Sequence, residues 1–481
     1  MSGINSGHPG LSFQTILLIT GIVICGTLVA DAADRSSLPD PERLVYKQLV
    51  FSHPKPDRVV LNNGLVLYIF ENHELPLIKV TAVIRTGGMY DPPGKEGLAE
   101  LTGTVMKTGG IIGMPGSVVD ETLEQMAALL HSSIDRDSGI FSLSCMSKDL
   151  ENGIDIFSRI LRKPAFEETK LSLAKDLKTG ELRRIADQPQ KLAFREFGRL
   201  MHADSLRGRL ATRGSIERIQ RDDLIRCHDL FYRPDRVMIS ISGDIGRMEA
   251  EAIVNRYFGT WTASKEKVDT PPLPRTPEGR IYALSKDVPQ SVVLFGWIAP
   301  SKNDIHFFPF ELIDFITGSG GFRSRMFQEI RTDRGLAYST GSFYTAKSGY
   351  GLFGAYAFTK SESTLEVVSL IRRIIREVGK NPIPAEELKR AKNALLNSFI
   401  FSFTSADKIV VQQMMREYDQ LSADFLDTYE SKIDNVTTDE IKKAAGYLDP
   451  DGAVVLIIGN DKVIEEISRS FDRVQRIEGS I

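Results

Sequence analysis

Gly97-Leu98-Ala99-Glu100-Leu101-Thr102-Gly103-Thr104-Val105-Met106-Lys107-Thr108-Gly109-Gly110 follows a strand-like run, Leu77 to Arg85, and a turn, Gly87-Gly88-Met89-Tyr90-Asp91-Pro92-Pro93-Gly94. Leu98, Leu101 and Val105 recur at helical spacing and Gly109-Gly110 is a stop signal, so the stretch predicts one short amphipathic helix. Its other face carries Glu100, Gly103, Thr104 and Lys107. Taken alone, such a helix is a packing element.

Upstream, two β-rich runs between Arg58 and Phe70 flank Asn63-Gly64, a hairpin signal. Downstream, Asp120 is placed to cap a helix whose apolar residues are Leu123, Met126, Ala127 and Leu130. A strand over Ile140 to Met146 follows, then a helical face made by Leu150, Ile154, Phe157 and Leu161 that ends near Pro164. From Glu167 to about His202 the pattern is helical with a break at Asp187-Gln188-Pro189, and a helix over Asp222 to Tyr232 leads into a strand over Val237 to Ser242. Residues 260–279 hold four prolines, Pro271, Pro272, Pro274 and Pro277, which favour an extended linker.

The second half repeats the plan. Asp222 through Tyr232-Arg-Pro-Asp to Val237-Met-Ile-Ser-Ile-Ser-Gly is echoed by Asp439 through Tyr447-Leu-Asp-Pro-Asp to Val454-Val-Leu-Ile-Ile-Gly. Tyr68 to Gly87 is likewise matched by Tyr282 to Gly296. The period is half the chain, which points to a duplicated domain of roughly 200 residues and not to a solenoid of short repeats. Strands and helices in mixed order with a hairpin predict an α+β fold with a largely antiparallel sheet.

Composition adds limits. Hydrophobic residues at 42% and charged residues at 26% are ordinary for a globular protein, and 60 Lys+Arg against 63 Asp+Glu leaves a net charge of -3. No basic run interleaved with aromatics is present, which argues against a nucleic-acid partner. Ile16 to Ala30 is an apolar run and Ala30-Asp31-Ala32 is a small-x-small cleavage site, so 1–32 predicts a secretory signal and 33–57 a polar extension. Uncleaved, the same run would anchor the chain in a membrane. Cys145 and Cys227 then remain; two buried free thiols are expected in place of a cross-link. The histidines His8, His53, His73, His131, His202, His228 and His306 include no local ligand pair.

A second motif lies in the second half: Gly318-Ser-Gly-Gly-Phe-Arg-Ser-Arg-Met-Phe-Gln-Glu-Ile-Arg331-Thr-Asp-Arg-Gly335-Leu-Ala-Tyr338. It lacks the Gly-Lys-Ser/Thr ending of a phosphate loop. Gly335 is suited to a left-handed helix C-terminus, which leaves Arg331 in the last turn and Tyr338 on the next strand.

These two motifs together resemble the pitrilysin/insulinase-like metallopeptidases, the inverzincins. There, a strand and glycine turn lead into a helix bearing His-x-x-Glu-His, which sets two imidazoles on zinc with a carboxylate beside them to activate water. Carried over, the first His position is Glu100, the base position Gly103 and the second His position Thr104, while Glu181 falls where the family has its third ligand. A hydroxyl is a poor zinc ligand and glycine has no side chain, so the resemblance implies the fold of a zinc peptidase with a lost metal site. It covers nearly everything from Arg58 to Ile467 and implies two homologous halves, 58–259 and 280–481, each a largely antiparallel sheet with helices packed on one face. It also implies that Arg331 and Tyr338 point toward a bound peptide. An Arg fork and a phenol suit a carbonyl oxygen gaining charge. The structural alternative is an Arg331 paired with carboxylates beside a partly buried Tyr338.

The family includes two-chain assemblies in which one chain supplies His-x-x-Glu-His and its partner supplies Arg and Tyr. The expectation is therefore an exported, most simply periplasmic, zinc-free subunit that is inactive alone and forms a heterodimer. Zinc would be in the homologous partner, the substrate would be peptide or unfolded protein, and Arg331 and Tyr338 would act in trans. The alternative is a scaffold or peptide-binding protein with no part in hydrolysis. An autonomous metallopeptidase with unusual ligands is the remaining reading.

Overall fold

The computed structural model describes residues 52–263 and 266–480. The signal segment, its cleavage site near Ala32, Cys25 and His8 lie outside the described residues. His53 to Ile481 form one compact unit.

In chain order the first half contains β1 (Asp57–Val60), β2 (Val66–Glu71), β3 (Leu77–Ile84), α1 (Leu98–Thr108), α2 (Gly116–Gln125), β4 (Leu129–Ile134), β5 (Gly139–Met146), α3 (Leu150–Arg162), α4 (Glu168–Ala186), α5 (Pro189–Met201), α6 (Arg221–Phe231), β6 (Val237–Gly243) and α7 (Arg247–Phe258). The second half contains β7 (Arg280–Ser285), β8 (Gln290–Ala299), α8 (Phe307–Asp314), β9 (Ala337–Ala346), β10 (Gly351–Lys360), α9 (Thr364–Lys380), α10 (Ala385–Ile400), α11 (Ala406–Tyr418), α12 (Phe425–Asp434), α13 (Thr438–Ala444), β11 (Val454–Gly459), α14 (Asp461–Ser470) and β12 (Val474–Arg476).

The strands make two six-stranded sheets, ordered β1-β2-β6-β3-β5-β4 and β12-β7-β11-β8-β10-β9. From the second strand of each order onward the two sheets correspond position by position. The echoed stretches become the helix-to-strand units α6–β6 and α13–β11, and each strand enters its sheet parallel to one neighbour and antiparallel to the other. Only the outermost strand differs, because β1 pairs antiparallel with β2 while β12 pairs parallel with β7. This is the expected α+β duplication.

Each half covers one face of its sheet with its own helices; the first-half core includes Leu101 and Val105 of α1 with Ile154 and Phe157 of α3. The opposite faces are covered by exchange. Leu192, Phe197 and Met201 of α5 pack on Val292, Leu294, Leu456 and Ile458 of the second sheet. Val410 and Met414 of α11 pack on Tyr68, Val83 and Met238 of the first. Successive side chains of a strand point to opposite faces, so a strand covered on both sides must be apolar throughout. That explains why β11 is buried at every residue from Val454 to Gly459.

One local expectation needs correction. The helix assigned to a cap at Asp120 starts one turn earlier, at Gly116 after Pro115, and ends at Gln125. Ala127 is left-handed at φ 49° and Leu130 belongs to β4, because the chain turns there to form the sheet edge. Cys145 and Cys227 are both buried and unpaired.

Candidate functional site

The predicted helix forms as α1 and presents Glu100, Gly103 and Thr104 toward β4 and α4. Its N-terminus is capped by a residue the sequence reading passed over. Asp91 accepts from Gly97 N at 2.7 Å and from Ala99 N at 2.8 Å. Burial pushes this carboxyl up to about 7, against the pull of those two N–H groups.

Glu100 and Glu181 are brought together by a third side chain, also unanticipated. Lys178 Nζ donates to Glu100 Oε1 at 2.7 Å and to Glu181 Oε2 at 3.1 Å. The lysine side chain is 13% exposed and the two carboxylates a little under half exposed, so the ammonium is the enclosed member. Its sequence signal was the i,i+3 spacing to Glu181 on one helix face. Only the packing of α4 beside α1 adds the second carboxylate.

Gly103 and Thr104 carry no functional group toward this space. A Cβ at position 103 would stand 2.4 Å from Ile134 Cγ1, so β4 fills the volume that a side chain at this position would need. Ser132 Oγ donates to Gly103 O at 3.2 Å, which holds β4 on the helix. The Thr104 hydroxyl donates back to Glu100 O at 3.0 Å. The residues present do not fit a catalytic zinc, which needs about three protein ligands and an open position. Two carboxylates are engaged by an ammonium, the hydroxyl is spent on the backbone, and the glycine position is plugged. Among the described residues no group of three or more His, Cys, Asp or Glu side chains is placed to hold a metal ion.

The second motif is arranged differently. After Gly321, a helix over 325–332 widens into a π-helical turn at Phe327–Thr332. It ends with Gly335 N donating to Arg331 O and Leu336 N to Ile330 O, Gly335 being left-handed at φ 63°. The Arg331 guanidinium lies 4.6 Å from the Phe327 ring centroid and 5.1 Å from that of Tyr338. Among the described residues Arg331 makes no ion pair, and Tyr338 is 79% exposed. The structural alternative, carboxylates on Arg331 and a partly buried Tyr338, is therefore set aside. Phe327 is the member of this cluster that sequence reasoning missed.

Each motif sits beside the free edge of its own sheet. Gly103 contacts β4, the last strand of the first sheet, and Tyr338 lies on β9, the last strand of the second. Among the described residues no hydrogen bond, ion pair or ring contact joins Arg331 or Tyr338 to Glu100, Gly103, Thr104 or Glu181. The chain thus holds two separate surfaces at corresponding places in its duplicated halves.

Comparison with known proteins agrees with this architecture. Residues 69–211 match the family described as Insulinase (Peptidase family M16), and residues 218–395 match the family described as Peptidase M16 inactive domain. An uncharacterized zinc protease of Rickettsia bellii is 22% identical over 338 residues, spanning 70% of this chain and 81% of that protein. The non-peptidase homolog YmxG of Helicobacter pylori is 25% identical over 362 residues, 70% of this chain and 78% of its own length. Among solved structures, a peptidase M16 inactive domain from Pseudomonas fluorescens superimposes with a TM-score of 0.78 at 23% identity, covering 85% of this chain and 98% of that one. A protease from Helicobacter pylori gives 0.76 at 17% identity, covering 84% and 99%. With both halves matched, the chain belongs to the pitrilysin/insulinase-like family, peptidase family M16.

Proposed function

We propose that this chain is a non-catalytic member of its family that pairs with a His-x-x-Glu-His homologue and lends it Arg331 and Tyr338. The carrying observation is the contrast between the two motifs. In one, Lys178 bridges the two carboxylates, the Thr104 hydroxyl bonds the backbone and Ile134 occupies the space beside Gly103. The other holds a guanidinium that has no carboxylate partner among the described residues, stacked on aromatic rings beside an exposed phenol. In this reading zinc belongs to the partner, and the substrate is an extended peptide that adds to a sheet edge such as β9. Export to the periplasm is supported by the apolar run at 16–30 and the small-x-small site Ala30-Asp31-Ala32.

The test is reconstitution with a homologous chain that carries His-x-x-Glu-His. Removing one donor to a developing oxyanion typically lowers kcat by about a hundredfold or more. Arg331→Ala and Tyr338→Phe are each expected to reduce peptide hydrolysis by the pair while leaving the pair assembled. Full activity in both variants would sink the proposal.

A second reading is a scaffold or peptide-binding protein; the name non-peptidase homolog given to the Helicobacter pylori relative fits it as well as it fits a non-catalytic subunit. It predicts peptide binding by this chain and no hydrolysis with any homologue.

A further inference from the structure

The groups around Glu100 and Glu181 form a complete arrangement of their own. Two carboxylates from different helices converge on one cation, Lys178 Nζ, at 2.7 and 3.1 Å. Arg195 on α5 lies in the same charged neighbourhood: burial lowers its pKa, and Glu196, Glu181 and Glu100 act in the opposite direction. The guanidinium is tied to the backbone at Ser480 O, 3.2 Å from Nη2. On the other side, Ile134 fills the space beyond Gly103 and is itself wedged against Gly139, where an added Cβ would meet Ile134 Cδ1 at 2.7 Å. Lys178 supplies the positive charge here, and Ile134 occupies the space that a side chain at position 103 would need.

We propose that the Lys178 ammonium has taken over the position and the structural task of a metal ion between α1 and α4. The argument is one of charge and geometry. A metal at this junction would gather side chains from the two helices around a positive centre. An ammonium with three donors does the same for two carboxylates. It is also covalently attached, so no ion has to be acquired for the helices to be joined. The proposal rests on reading these positions as a former metal site and is independent of any partnership or of Arg331 and Tyr338.

Two measurements on the purified full chain test it. The first compares melting of Lys178→Met with that of Lys178→Met/Glu100→Gln/Glu181→Gln. Removing the shared cation leaves the two carboxylates facing each other uncompensated, whereas removing the whole group does not. The single variant is therefore expected to melt about 3 °C or more below wild type, and the triple variant is expected to regain at least half of that loss. Both variants lose the lysine stem, so a packing role would affect them equally. Equal melting of the two overturns the proposal.

The second measurement uses Zn2+ alone as the probe, by calorimetry, on Glu100→His/Thr104→His with and without Lys178→Ala. If the ammonium holds the metal's place, removing it improves Zn2+ affinity at least tenfold. Equal affinity with and without Lys178, weak or tight, overturns the proposal. Because neither assay contains a partner chain, failure here leaves the trans role of Arg331 and Tyr338 standing, and loss of that role leaves this one standing.

Discussion

An added methyl group at position 103 separates two opposing effects. In an exposed helix interior alanine is favoured over glycine by about 1 kcal/mol, because glycine loses more backbone freedom on folding. Here that gain meets Ile134, whose Cγ1 would be 2.4 Å from the new carbon and whose Cδ1 is hemmed in by Gly139. Overpacking of this kind costs about 1–3 kcal/mol. Gly103→Ala is therefore expected to destabilise the chain by about 1 kcal/mol in urea unfolding. In an Ile134→Ala background the clash is gone and the same change should become stabilising. Additive behaviour across this double-mutant cycle would mean that Ile134 does not fill the position. The same geometry explains why replacing Gly103 by glutamate cannot by itself rebuild a catalytic base: Ile134 must leave first.

Among the elements, α5 and α11 show most clearly what the chain's pattern reveals and what it hides. The break at Asp187-Gln188-Pro189 is visible because Pro189 cannot continue the preceding hydrogen-bond ladder and is pre-set for a new helix start. The apolar run Val454 to Ile458 is visible as a strand buried on both faces. Which helix covers the outer face is not visible, since an amphipathic helix carries no mark of the sheet it will meet. In the folded chain Phe197 of α5 drops into the notch above Gly296 of β8, where an added Cβ would stand 2.4 Å from Phe197 Cζ and 2.5 Å from Met201 Sδ. A buried Phe→Ala change costs about 3–5 kcal/mol, so Phe197→Ala should lower stability by that amount although it lies in the opposite half from the sheet it covers. Loss of only a few tenths would show that α5 contributes little to the second sheet. Lys178 was hidden for the same reason as this packing, because on α4 alone it is one more charge on a solvated face. Conversely, the misplaced start of α2 came from a local signal, Asp120, that was overruled by Pro115 and by the turn at Ala127.

Across the whole molecule the two halves are held by the exchanged helices and by a polar knot at Asp137, on the β4–β5 turn. Arg207 Nε donates to Asp137 Oδ1 at 2.7 Å, and Tyr350 of the second half donates its hydroxyl to Asp137 Oδ2 at 2.7 Å. Arg207 Nη1 also donates to Pro272 O at 2.7 Å, and Tyr418 OH to Asp137 O at 3.2 Å, so the linker and α11 enter the same knot. His202, at the end of α5, stands edge-on to Tyr350 with ring centroids 5.5 Å apart. Burial first, and then the charge of Arg136, pull its imidazole down to about 4; Asp137 works the other way and Arg207 adds a smaller pull down. A histidine held neutral in the fold contributes stability that is fully present above its ordinary range near 6.5. Below that pH the unfolded chain takes up a proton that the folded chain refuses, and the contribution is lost as pH falls toward about 4. Asp91 and Asp314, pushed up to about 7 and about 6, have the opposite sign and lose stability as pH rises. The total curve mixes these effects, and a difference curve isolates one of them. His202→Phe keeps a ring against Tyr350 and removes the titration, so its stability should fall less steeply than wild type between pH 6.5 and 4, by up to about 1.4 kcal/mol per pH unit. Parallel curves for wild type and His202→Phe over that range would mean that the imidazole titrates freely. The join between the halves would then owe its acid sensitivity to other groups.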